Sequence, residues 1–168
     1  MKVEQLENLP SATELFERLF KDKPFCFFLD SGMDHEKLGR FSFMGAEPFL
    51  ILKSKGRFIE IIEGSRVERF IGNPFLVLKE LLKKYSDNFY LDDIPFSGGA
   101  VGYFSYDLCH FIEKLPSTAI DDIDAPDCWV GFYNDIVAVD HQKNKTYRII
   151  NSKFQNPNSK QIPNSKFK

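Results

Sequence analysis

Residues 96–116, Phe-Ser-Gly-Gly-Ala-Val-Gly-Tyr-Phe-Ser-Tyr-Asp-Leu-Cys-His-Phe-Ile-Glu-Lys-Leu-Pro, constrain the fold more than any other stretch. Gly98, Gly99 and Gly102 interleave with Val101, Tyr103, Phe104 and Tyr106, a pattern that predicts a buried strand approached closely by other backbone on one side. Asp107 stands where it could cap a short helix through Phe111 and Ile112, closed by Pro116. A phosphate-binding loop needs its glycines after a strand and opening a helix. Here they precede the strand-like residues and match neither G-x-G-x-x-G nor G-x-x-x-x-G-K-[ST], so a structural role is favoured over nucleotide binding.

With 168 residues the chain suits one domain that buries its own core without metals or disulfides. Its apolar content is unusually aromatic, 18 Phe and 6 Tyr against one Trp, which favours strands and packed sheet faces. A net charge of -2 from 22 basic and 24 acidic residues, with no long basic run, speaks against a nucleic-acid partner. Cys26, Cys109 and Cys128 are odd in number and far apart, and each has apolar neighbours. They read as reduced thiols of a cytosolic protein. The opening residues 1–10 hold neither a secretory signal nor a membrane-spanning run, so the expectation is a cytoplasmic protein with no membrane partner.

Ser11 and Glu14 form an S-x-x-E capping box ahead of Leu15, Phe16, Leu19 and Phe20 at helical spacing, predicting a helix over 12–21. Residues 24–29, with three Phe, read as a central strand. Alternation resumes over 40–45 after a polar loop. Strands over 48–53, 57–62 and 66–71, separated by turns at Gly56 and Gly64, predict an antiparallel meander. Asn73 and Pro74 then supply a cap and a first-turn proline for a helix burying Phe75, Leu78, Leu81, Leu82 and Tyr85. Residues 128–140 alternate as one strand, with 146–150 as its hairpin mate. The domain is therefore assigned to 1–150. Asn-Ser-Lys recurs at Asn151, Asn158 and Asn164 in a polar string, so 151–168 is predicted to be a disordered tail.

Other candidate sites have bland readings that compete with the sharp ones. Asp121, Asp122 and Asp124 lack the glycine and terminal glutamate of a calcium loop and suit a solvated acidic loop. Tyr106 and Asp107 are explained by strand-end packing and a helix cap without invoking a catalytic pair. His35, His110 and His141 show no metal-ligand spacing. Ser31 in Asp-Ser-Gly is a turn residue on local grounds, Arg40 a surface or ion-pair arginine, and Phe41 a core residue.

Three blocks together change that weighting. They are Leu29-Asp30-Ser31-Gly32 with Gly39-Arg40-Phe41-Ser42-Phe43-Met44-Gly45-Ala46-Glu47-Pro48, then Gly98-Gly99-Ala100-Val101-Gly102-Tyr103-Phe104-Ser105-Tyr106-Asp107, then Pro126-Asp127 with Gly131-Phe132-Tyr133. In order and spacing the chain resembles, over about 16–150, the N-terminal domain of component I of the anthranilate synthase and aminodeoxychorismate synthase family. Leu-Asp-Ser-Gly and Tyr-Phe-Ser-Tyr-Asp look more like the aminodeoxychorismate branch, which serves folate, than the anthranilate branch, which serves tryptophan.

The resemblance implies an α+β fold, a mostly antiparallel sheet with two or three flanking helices, equivalent to one half of the family's two-sheet sandwich. It implies chorismate and ammonia as substrates, the ammonia coming from a glutamine amidotransferase subunit. Chorismate, magnesium and the catalytic residues belong to a C-terminal chorismate-binding domain that would be encoded elsewhere, so no catalytic residue and no cofactor is assigned to this chain. The resemblance also implies a tryptophan pocket, carried here by Ser31, Leu38, Gly39, Arg40 and Phe41. Ser31 and Arg40 are of the right type to meet the polar end of L-tryptophan. The competing expectation is a non-catalytic tryptophan-binding module or a truncated remnant.

Overall fold

The structure is a computed structural model and describes residues 1–31, 39–86, 91, 93–116 and 120–154. Strands β1 (Lys2–Leu6), β2 (Phe27–Leu29), β3 (Phe41–Gly45), β4 (Leu50–Lys55), β5 (Phe58–Glu63), β6 (Arg66–Ile71), β7 (Gly99–Phe104), β8 (Cys128–Tyr133), β9 (Asp135–Asp140) and β10 (Lys145–Ile150) form two sheets. Helices α1 (Ala12–Leu19) and α2 (Pro74–Lys84) accompany them, with short 3-10 turns at Tyr106–Phe111 and Ser152–Phe154. The fold is α+β and mostly antiparallel, with its strands shared between two five-stranded sheets. The chain divides into two compact units, Met1–Phe49 with Asp87–Gly99 and Tyr133–Lys168, and Leu50–Ser86 with Ala100–Phe132. No helix among the described residues is long and apolar enough to cross a membrane.

The first unit holds the sheet β1-β10-β9-β3-β2. Helix α1 starts where the capping box places it, with Ser11 Oγ accepting from the Glu14 amide at 3.3 Å. Its apolar face, Ala12, Leu15 and Leu19, together with Phe20, packs on Met44 and Val137 of the sheet. Each fully buried side chain of this size contributes about 2 kcal/mol, so this seam anchors the unit. Residues 24–29 do not form a central strand. Only Phe27–Leu29 is extended, and it is the edge strand beside β3, because Phe25 takes a positive φ of 53° and ends the extended run. Strand β1, which the charged opening residues did not announce, closes the opposite edge on β10.

Residues 128–140 are likewise two strands. β8 pairs with β4 in one sheet, β9 with β3 and β10 in the other. The break falls at Asn134, which is buried. Its carbonyl accepts from the Asn151 amide at 2.7 Å and its side-chain amide donates to the Phe154 carbonyl at 3.0 Å. Those contacts place residues 151–154 of the predicted tail within an ordered turn, while 155–168 lie outside the described residues.

Two ion pairs stitch the first sheet. Arg148 on β10, 2 % exposed, donates from Nε and Nη2 to Asp135 at 3.0 and 2.7 Å. Arg40, just before β3, donates to both carboxylate oxygens of Asp140 at the end of β9, with Nη2 to Oδ2 at 2.6 Å. Asp140 is 1 % exposed. Burial pushes its carboxyl up, but the Arg40 guanidinium and the amides of Lys143 and Gln142 outweigh that and hold it below the ordinary carboxylate value.

The second unit holds β6-β5-β4-β8-β7, and here the predicted meander is found, with turns at Gly56 (φ 50°) and Gly64 (φ 60°). Asn73 caps α2 through the amides of Phe75 and Leu76, with Pro74 in the first turn. Leu81 is buried as the helical pattern requires, but Leu82 is 45 % exposed and lies off the buried face. In β7 the glycine argument holds at Gly102, where a Cβ would stand 2.0 Å from the Trp129 carbonyl oxygen. The strand is at the sheet edge rather than buried, with Tyr103 and Phe104 half exposed. Asp107 does not cap. The 3-10 turn begins after Ser105 with no side-chain cap, and Tyr106 is 82 % exposed instead of packed.

Two outcomes check this description. Gly102→Ala should lower stability in a denaturant titration by about 2–3 kcal/mol, because rigid backbone must move, whereas Gly56→Ala, with open space but positive φ, should cost about 1 kcal/mol. Asp140 has a folded pKa below its unfolded value of about 3.9. Its stabilisation is therefore complete above that pH and is lost as pH falls through the folded pKa. Asp140→Asn should thus lower Tm at pH 7, and the gap to the parent should close at progressively lower pH below about 4.

Candidate functional site

Within the first unit, β2 and β3 converge where Ser31 follows the end of β2. Ser31 Oγ donates to the Phe41 carbonyl at 2.5 Å, and the Ser31 amide donates to Ser42 Oγ at 3.1 Å. Ser42 is fully buried on β3. Its hydroxyl donates to Asp30 Oδ1 at 2.9 Å and stands 2.7 Å from His141 Nε2. A hydroxyl has one proton to give, so with that proton on Asp30 the His141 ring must carry hydrogen on Nε2. The His141 amide in turn donates to the Arg40 carbonyl at 2.8 Å. Asp30, Ser31, Ser42 and His141 thereby form one polar cluster across β2, β3 and the end of β9.

Asp30, Ser31 and His141 open onto a cavity of about 550 Å³, walled also by the segment from Gln5 to Thr13 and the β9–β10 turn. Of the described residues predicted to bind tryptophan, Ser31 lines it and Gly39, Arg40 and Phe41 do not. Arg40 is turned to Asp140, its Cζ lying 4.6 Å from the centroid of the Phe41 ring, which stacks at 5.8 Å on Phe43. Nη1 is the guanidinium nitrogen of Arg40 with no partner among the described residues. Gly39 is buried, and Leu38 lies outside the described residues. The lining is largely polar, with Leu6, Leu9, Pro10, Ala12 and Val139 as its aliphatic part. Ser42 and His141 were not singled out as site residues. Ser42 alone interrupts the apolar run Phe41 to Met44, and a lone hydroxyl inside such a run is the signal that could have found it.

The second unit has its own cavity, of about 710 Å³, between the β4–β5 turn, the 105–111 segment and the acidic loop. Lys55 pairs with Asp121, lies 3.7 Å from Asp127 and donates to the Ala125 carbonyl at 2.6 Å. The Asp121 contact raises the Lys55 pKa, and Lys55 with the Asp124 amide lowers that of Asp121. These contacts occupy the charges of Lys55 and Asp121 with each other. Among the described residues no group of three or more His, Cys, Asp or Glu side chains is placed to hold a metal ion.

No family model matches the chain. It is 35% identical over 151 residues to anthranilate synthase component 1 of Acetivibrio thermocellus, covering 89% of this chain and 30% of that protein. It is 33% identical over 133 residues to aminodeoxychorismate synthase component 1 of Escherichia coli (strain K12), covering 79% of this chain and 29% of that protein. The crystal structure of anthranilate synthase component I from Streptococcus pneumoniae TIGR4 superposes on 96% of this chain and 33% of its own, with a TM-score of 0.58 at 20% identity, a likeness of fold. The chain thus spans about 30% of the length of these curated relatives. Over most of its own length, this chain is a homologue of component I of the chorismate-utilising anthranilate and aminodeoxychorismate synthases.

Proposed function

We propose that the chain is the tryptophan-pocket-bearing, N-terminal domain of an aminodeoxychorismate synthase component I-like protein. In that protein chorismate and ammonia would give 4-amino-4-deoxychorismate for folate, in the cytoplasm. On this reading the chain is not catalytic alone. A chorismate-binding catalytic domain would hold chorismate and magnesium, and a glutamine amidotransferase subunit would supply ammonia. The observation that carries the reading is the homology over most of the chain, together with Ser31 on the wall of a cavity.

The Leu29-Asp30-Ser31-Gly32 and Tyr103-Phe104-Ser105-Tyr106-Asp107 blocks favour the aminodeoxychorismate branch. A second reading, an anthranilate synthase component I domain serving tryptophan synthesis, is favoured by the 35% identity to the Acetivibrio thermocellus protein. Both readings share the pocket. Ser31 Oγ gives its proton to the Phe41 carbonyl and so faces a ligand as an acceptor, suited to an ammonium.

Thermal unfolding of the whole chain with and without millimolar L-tryptophan tests the pocket. At one hundred times its dissociation constant a ligand adds about 2.7 kcal/mol, several degrees for a chain of this size. A rise in Tm that is lost in Ser31→Ala supports the pocket. An unchanged Tm in a protein that unfolds cooperatively counts against tryptophan binding by this chain.

A further inference from the structure

An open sheet ends in two strands whose outer backbone groups have no partner, and proteins guard such edges with charge, brevity or cover. Among the edge strands here, β1 carries Lys2 and Glu4, β6 carries Arg66, Glu68 and Arg69, and β2 is three residues long. β7 has none of these guards. Gly-Ala-Val-Gly-Tyr-Phe runs six residues with no charge and no proline, and Gly102, Tyr103 and Phe104 are exposed.

The open side of β7 follows from its pairing with β8. The Ser105 amide donates to the Asp127 carbonyl at 2.7 Å, and Gly102 lies against Trp129 and Val130, so the two strands keep one antiparallel register. Successive residues of a ladder turn their amide and carbonyl to opposite sides. With Ser105 turned toward β8, Val101 and Tyr103 are too, while Ala100, Gly102 and Phe104 present theirs to the open side. Among the described residues no other backbone group meets them. Phe104 stands on the side of α2, its ring 5.9 Å from that of Phe75, and Ala100 and Gly102 share that face and leave space beside it. Val101 and Tyr103 stand on the other face.

Gly98 and Gly99 take φ of 119° and 127°, and the 3-10 turn begins at Tyr106, so the regular part of this edge is residues 100–104. A two-fold axis normal to the sheet sets one residue opposite its own copy. An axis at Gly102 is the one that pairs the whole of 100–104 with itself. Gly102 and its copy then exchange both backbone bonds, as do Ala100 and Phe104 of opposite copies. On one face each Phe104 ring covers the small Ala100 and the bare Gly102 of the other copy. On the other face Val101 meets Tyr103, an aromatic and β-branched pair of the favourable kind. We propose that the β7 edge is a homodimer interface, at which two copies of this chain pair residues 100–104 antiparallel about Gly102 and join their second sheets into one. An uncharged edge whose reversed sequence sets small residues against large ones fits a second copy of itself. The interface uses none of Ser31, Gly39, Arg40 or Phe41, so it stands apart from the tryptophan reading.

The test is sedimentation equilibrium of the full chain from micromolar to millimolar concentration, with backbone amide hydrogen exchange measured at both ends of that range. The expected result is a reversible dimer whose formation slows exchange at Ala100, Gly102 and Phe104 and leaves the amides of β6 unchanged. Tyr103→Lys changes an exposed side chain that meets Val101 twice in the dimer, and should weaken dimerisation about tenfold. Ala100→Pro removes an outward amide that the pairing with β8 does not use, and should abolish the dimer. A chain that stays monomeric throughout overturns the interface. So does a dimer that protects the amides of β1 or β6 instead, or one that Tyr103→Lys leaves equally tight. A monomer whose Ala100, Gly102 and Phe104 amides already exchange slowly at the lowest concentration has its edge covered from within, and overturns it as well. Tyr103→Lys gives a reading even where Ala100→Pro disturbs the strand.

Discussion

A single hydroxyl holds the site end of the first unit together. Ser42 Oγ gives its proton to Asp30 and receives the Ser31 amide and the His141 ring, which saturates what one hydroxyl can do. Because Ser42 is fully buried, removing any one of these partners leaves a polar atom with no water to turn to. The ends of β2, β3 and β9 are thereby fixed relative to one another. The position of Ser31 on the cavity wall follows from that bond as much as from its own sequence.

The neighbouring ion pair works with it. Arg40 reaches Asp140 while its carbonyl takes the His141 amide, so one residue ties the entry of β3 to the turn after β9 through both its side chain and its backbone. The Phe41 ring under the guanidinium adds an apolar platform that limits its motion. A ligand that recruits Arg40 therefore meets a guanidinium already oriented, and has only Nη1 to address without competing with Asp140.

The sequence disclosed local structure well and long-range assignment poorly, for identifiable reasons. Capping signals at Ser11 and Asn73 and turn glycines at Gly56 and Gly64 act within a few residues, and each stands where the pattern placed it. Gly102 was legible because only a close approach explains a missing side chain amid aromatics. The assignment of strands to sheets was not legible. Residues 128–140 alternate without interruption, and what divides them is the pairing of Asn134 with Asn151 and Phe154, partners distant in sequence. The family blocks singled out Ser31, which lines the cavity, but the contact of Ser42 with His141 depends on register between β3 and β9, which no local pattern encodes.

The outer strand of the second sheet has a consequence for self-association. β6 is exposed along its whole length and pairs on one side with β5, so its other side offers free backbone groups. Two copies joining there into one continuous sheet must be related by a two-fold axis normal to it, which sets one residue opposite its own copy. The two registers of longest overlap set Glu68 against Glu68 or Arg69 against Arg69. Like charges directly opposed destabilise a strand pair, so the alternation of Arg66, Glu68 and Arg69 guards an otherwise adhesive edge that also carries Val67, Phe70 and Ile71. Neutralising both Glu68 and Arg69 would turn that edge into a template for its own copies.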